Sequence, residues 1–180
     1  VDVTMNSEPL VFMFDRMNFD LCEPSPVCMV AAVGDQDDNI IEITTSENTT
    51  YNPITGYACF TPPGAGTFVV KVRALDECGA WSMDSTIVNI TINEPPVVNL
   101  PDYQEFFLCG PEEVCIPTES YIYDPDGDIL DISVLPYGSY DPQTGEICIT
   151  PETIPDTVDF TIHAIDECGN TAVDTMTIVF

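Results

Sequence analysis

The chain has 180 residues, of which 31 are Asp or Glu and 3 are Lys or Arg, giving a formal net charge of −28. Three scattered cations, Arg16, Lys71 and Arg73, cannot neutralise a run of phosphates, so nucleic acid is excluded as a partner. No stretch approaches the ~20 apolar residues of a membrane span, yet hydrophobic residues at 44% supply real cores, so the charge belongs on loops and surfaces around packed sheets. Hard cations are the counter-species for such a surface, and Ca²⁺ suits oxygen ligands best.

Taken in chain order, residues 1–7 (VDVTMNS) read as a strand segment standing before the first module. Residues 1–6 resemble 88–93 (VNITIN), the closing strand of that module, and Val1, Val3 and Met5 fall on one side. The first module occupies 8–93. Its acidic turn at 35–39 (DQDDN) is followed by a turn at 51–56 (YNPITG), a period-two strand with Phe68, Val70, Val72 and Ala74 on one face, and a closing strand at 86–92. The linker at 94–97 (EPPV) contains two prolines, which stop a strand and stiffen the joint. The second module, 94–180, repeats the order: 124–128 (DPDGD), 140–145 (YDPQTG), Phe160, Ile162 and Ala164 on one face, and a closing strand at 175–180.

The cysteines establish the repeat. Cys22 and Cys28 recur 87 residues on as Cys109 and Cys115, Cys59 recurs 89 on as Cys148, and Cys78 recurs 90 on as Cys168. An even count without a CxxC pair, and with His163 as the sole histidine, reads as disulfides rather than zinc. That implies an oxidising, extracellular setting. Cysteines six residues apart can meet across a short turn, giving Cys22–Cys28 and Cys109–Cys115 with Cys59–Cys78 and Cys148–Cys168 left over. Four cysteines per module allow three pairings, and the sequence leaves the choice open.

About seven short strands in fewer than 90 residues match the size of an immunoglobulin-like sandwich. The expected fold is therefore all-β, two tandem sandwiches stapled by disulfides. In the acidic turns, Asp124, Asp126 and Asp128 stand at alternate positions around Gly127, a spacing that can wrap a hard cation; the first copy offers Asp35, Asp37 and Asn39. Asn48 and Asn89 each open an N-x-T glycosylation sequon. A lone histidine precludes a Ser-His-Asp site in each copy, and no glycine-rich phosphate loop opens a helix, so the expectation is a protein that is not an enzyme.

The linker, the DPDGD loop and the Ile165-Asp166 step before the last strand together resemble the cadherin-like and immunoglobulin-like tandem repeats of bacterial surface proteins, across nearly the whole chain. The resemblance implies an extracellular or cell-surface protein, often Ca²⁺-binding. It also places the loop before the last strand beside the acidic turn, so that Asp76 and Asp166 approach their own copy's cluster and Glu8 and Glu94 join from the linker. On this reading the chain is a structural subunit of a surface fibre or filament. Copies would associate head to tail, residues 1–7 of one adding a strand to the second module of the next. The alternatives are a segment cut from a longer array and an adhesin or glycan-binding module using tyrosines such as Tyr121, Tyr123, Tyr137 and Tyr140.

Overall fold

A computed structural model of the chain describes residues 5–180. Every regular element among them is a strand, and no helix among them is long and apolar enough to cross a membrane. The chain divides into two compact units, the first ending at Asn93 and the second running Glu94–Phe180. Each is an immunoglobulin-like sandwich.

The first unit contains β1 (Leu10–Met13), β2 (Arg16–Leu21), β3 (Val27–Gly34), β4 (Ile40–Thr45), β5 (Thr49–Asn52), β6 (Tyr57–Phe60), β7 (Gly66–Asp76) and β8 (Trp81–Ile92). Its sheets have the orders β1-β3-β6-β5 and β2-β8-β7-β4. This is the strand division of immunoglobulin-like domains, with β2 added in parallel along β8. Alternation builds the core. Val27, Met29 and Ala31 of β3 face Val70, Val72 and Ala74 of β7, all buried, while the intervening side chains point outward. The closing strand begins at Trp81, five residues before the expected start, and pairs with β7 from Leu75 back to Gly66.

The second unit contains β9 (Val97–Val98), β10 (Tyr103–Glu105), β11 (Val114–Pro117), β12 (Ile122–Tyr123), β13 (Ile129–Leu135), β14 (Ser139–Asp141), β15 (Glu146–Ile149), β16 (Thr157–Asp166) and β17 (Thr171–Val179). The sheet β10-β17-β16-β13 repeats that of the first unit, whereas the facing layer is split into β11-β15-β14 and β9-β12. The split has a local cause. Where β3 runs unbroken, its counterpart turns after Pro117, and the Thr118 carbonyl accepts the N–H groups of Tyr121 and Ile122. The core centres on Phe160, Ile162, Ala164, Met176 and Ile178, each almost fully buried.

Register gives each unit two distinct ends. In the first, the β7–β8 turn follows the pair Leu75–Trp81. At the other end, Leu21 lies beside Ile92, and the Asn93 N–H donates to the Leu21 carbonyl. We call these the leading and trailing ends. The 12 residues of β8 hold them roughly 35 Å apart at about 3.3 Å per step. The second unit repeats the arrangement: the β16–β17 turn is at its leading end, and Glu105 and Phe106 meet Val179 at its trailing end.

Candidate metal centre

The acidic turns sit at the leading ends. The 35–39 turn joins β3 to β4, and the β7–β8 turn lies against it, with the Glu77 N–H donating to the Asn39 carbonyl. In the second unit the Glu167 N–H donates to the Asp128 carbonyl in the same way. The adjacency of the two loops follows from β4 pairing with β7 and β13 pairing with β16.

In the second unit one carboxylate oxygen from each of Asp124, Asp128 and Asp166 lies within 4.8 Å of the others. Asp124 Oδ1 accepts the N–H groups of Asp126 (2.8 Å) and Gly127 (3.1 Å), which the positive φ of Gly127 allows to close into a tight turn. Its other oxygen, Oδ2, is buried without a hydrogen-bond partner, as is Asp128 Oδ1. Asp166 is fully buried and accepts the Asn170 main-chain N–H at 2.7 Å and side-chain amide at 2.9 Å. Burial, then the Asp124 carboxylate, then that of Asp166, push the Asp128 carboxyl above its ordinary range.

The first unit repeats the arrangement with one fewer charge. Asp35 Oδ1 accepts the Asp37 N–H at 2.7 Å, while Asp35 Oδ2 and Asn39 Oδ1 are buried and unpartnered. Fully buried Asp76 accepts the Asn6 amide at 2.8 Å and the Ala80 N–H at 2.8 Å. The Asn6 amide holds Asp76 below the usual carboxylate range against the opposing effect of burial, and the N–H groups of the turn assist. Asn6 also accepts the Asn39 amide at 2.8 Å.

These contacts rearrange the expected ligand sets. In the second unit the first and last residues of the turn converge with the buried aspartate, and in the first Asn39 is linked to Asp76 through Asn6, whereas in both the middle residue points to the linker. Asp126 Oδ2 accepts the Glu94 N–H at 2.6 Å, and Asp37 Oδ2 accepts the Ser7 N–H at 2.6 Å. The tip of a turn lies outside its own concave side, so Asp37 and Asp126 are exposed. The linkers therefore correspond at Ser7 and Glu94, an offset of 87, and Glu8 is one residue out of phase with Glu94. Glu8 is exposed, and the next residue, Pro9, is buried like Pro96. Asn6 was missed as a member of the cluster, although its match to Asn93 was already visible in the sequence.

Unpaired carboxylate oxygens held close together and out of water are costly unless a cation neutralises them. The donor set is all oxygen, which fits Ca²⁺ rather than a thiolate- or imidazole-seeking metal.

The cysteine pairing departs from the short-turn expectation. Cys28 and Cys59 face each other across β3 and β6 and are bonded, with Cα atoms 4.0 Å apart; Cys115 and Cys148 do the same across β11 and β15 at 4.1 Å. Cys28 is committed to Cys59, so the expected Cys22–Cys28 bond does not form; β2, which leads into Cys22, belongs to the other sheet. Cys78 and Cys109 are exposed thiols, so their expected pairings with Cys59 and Cys115 do not form. Cys22 and Cys168 are disulfide-bonded.

Of the other expected positions, Val1 and Val3 lie outside the described residues, and Met5 is exposed. Asn48 is exposed with φ at 55°. The Asn89 side chain is occupied, accepting Thr67 Oγ1 at 2.9 Å and donating to Asn18 at 2.7 Å. His163 faces outward, as expected from the alternation of its strand. Tyr121, Tyr137 and Tyr140 pack against the second core, and only Tyr123 of the four is exposed.

No family model and no curated protein sequence matches the chain. Solved structures of tandem β-sandwich modules do. Drosophila N-cadherin EC1-4 aligns with a TM-score of 0.56 at 13% identity, over 97% of this chain and 49% of that one. The protocadherin gammaB4 extracellular domain gives 0.54 at 18%, over 96% and 32%. The titin I-band fragment I67-I69 gives 0.51 at 14%, over 96% and 65%. The chain thus spans less than two thirds of the length of each. These likenesses establish a fold of serial immunoglobulin-like and cadherin-like modules.

Proposed function

We propose that this chain is a structural segment of an extracellular protein, built of modules in series whose leading ends are stiffened by Ca²⁺. The observation that carries this reading is the twice-repeated set of buried, unpartnered oxygens at Asp124 and Asp128 and at Asp35 and Asn39, each beside a fully buried aspartate. Asp124, Asp128 and Asp166 would hold the ion in the second module, and Asp35, Asn39 and Asp76 in the first. Asn39 in place of an aspartate makes the first site weaker. The ion would neutralise the converging carboxylates and tie two loops of a module together. Asp37 and Asp126 clasp the incoming backbone, so stiffening those loops also stiffens the linker.

Cross-strand disulfides suit an oxidising compartment, where Ca²⁺ at millimolar levels can fill modest sites. Copies of the chain associate head to tail in this reading, with the segment before Asn6 as the donor strand, since Asn6 and Ser7 bond to their own module. Glycans attach at Asn48 rather than Asn89, and the chain performs no catalysis. An adhesin that stacks sugars on tyrosines is less favoured, since three of the four candidates contribute to the core.

Sedimentation velocity in Ca²⁺ and in EDTA tests the reading. Ca²⁺-dependent self-association, reduced by deleting residues 1–5, supports it. A chain that is monomeric in both conditions at high concentration would contradict head-to-tail assembly.

A further inference from the structure

Each module has one cysteine at its leading end and one at its trailing end, besides its cross-strand disulfide. Cys78 and Cys168 sit in the β7–β8 and β16–β17 turns at the leading ends. Cys22 directly follows Leu21, and Cys109 lies three residues after Phe106, which the Val179 carbonyl anchors; both are at trailing ends. A disulfide needs Cα atoms about 5.5 Å apart. The two ends of a module are several times farther apart than that, so its leading and trailing cysteines cannot pair with each other. A cysteine at either end can therefore pair only with a cysteine outside its own module. Cys78, at the leading end of the first module, and Cys109, at the trailing end of the second, are exposed thiols.

We propose that Cys109 of one copy and Cys78 of a second copy form an intermolecular disulfide, making the head-to-tail contact covalent. The inference rests on the head-to-tail reading above and adds the bond that locks it. The chemistry is thiol–disulfide exchange with a small-molecule disulfide as oxidant. The Cys78 thiolate attacks one sulfur of the oxidant and expels the first small thiol. The Cys109 thiolate of the neighbouring copy then attacks the mixed disulfide at the Cys78 sulfur and expels the second. Two protein thiols are oxidised to one disulfide, the oxidant is reduced to two thiols, and the two protons from the protein pass to those thiols. Cys78 stands in a leading-end turn with Asp76 and Glu77 close in sequence, so alignment of the ends is expected to depend on Ca²⁺ screening their charge.

The full chain, incubated with oxidised glutathione in Ca²⁺, is examined on non-reducing gels and by peptide mapping. The expected result is a ladder of covalent oligomers whose cross-linked peptides join Cys78 to Cys109. Mixing Cys78→Ser with Cys109→Ser chains should give a dimer and nothing larger. Cross-links joining Cys78 to Cys78 and Cys109 to Cys109, a monomer closed between its own two thiols, or no cross-link at all would each overturn the proposal. Sedimentation of the wild-type chain with its thiols blocked by iodoacetamide separates this from the underlying reading. If the blocked chain associates in Ca²⁺ but the unblocked chain forms no Cys78–Cys109 bond, the disulfide alone is refuted; if the blocked chain does not associate, the head-to-tail reading fails.

Discussion

Asp128 holds its proton more tightly than an ordinary carboxyl because burial and the Asp124 carboxylate both oppose its charge. A group whose folded pKa is raised binds more protons folded than unfolded. The ion-free module therefore loses stability as pH rises from the ordinary carboxyl range through the raised one. Ca²⁺ reverses that effect, so the gap in Tm between Ca²⁺ and EDTA should widen over the same rise, as thermal melts across a pH series would show. Asp128→Asn removes both the repulsion and a charged ligand. Its ion-free Tm should hold or rise while Ca²⁺ affinity in the second module falls at least ~10-fold, a loss of the size seen when metal sites lose supporting groups. Unchanged affinity would remove Asp128 from the site. At this scale turn spacing and the place of the last loop in a sandwich lead to the juxtaposition of Asp124, Asp128 and Asp166. The sequence does not show that Asp126 turns to the Glu94 N–H or that Glu8 stands one residue out of phase with Glu94, because the direction of a side chain at the tip of a turn and a one-residue slip in the linker depend on backbone contacts that spacing does not encode.

Strands explain what the cysteines do. Cys28 and Cys59 bond because β3 and β6 are in a register that sets them opposite each other, closing 31 residues of sequence. Replacing both with serine should cost about 3–4 kcal/mol by loop-closure entropy, measured as a lower urea midpoint. A loss below about 1 kcal/mol would mean the cross-link constrains little in the unfolded chain. In the second unit Phe160 is fully buried and meets Tyr137 edge-on at 5.3 Å, so Phe160→Ala should cost about 3–5 kcal/mol in the same assay. Alternation makes this core legible, since the period-two pattern puts Phe160, Ile162 and Ala164 on one face. The disulfides were not legible, because sequence proximity suggested short-turn pairs whereas β2 and β3 belong to different sheets. The break between β11 and β12 is likewise hidden, since it depends on the Thr118 carbonyl accepting the N–H groups of Tyr121 and Ile122.

Across the whole molecule, the repeat and the two-module plan are readable from offsets of 87 to 90 residues, and the all-β class from period-two alternation. The fold adds polarity. Each module has a leading end that gathers acids and a trailing end beside the exit of its last strand, with a cysteine at each. The chemistry assigned to the leading ends is the claim on which the functional account depends. Calorimetric titration of the full chain with Ca²⁺, beside Asp128→Asn, tests it most directly. The account expects saturable binding in which the stronger site is lost in Asp128→Asn and a weaker one persists. Heats no larger than dilution in the wild-type chain, with identical melts in Ca²⁺ and EDTA, would contradict it.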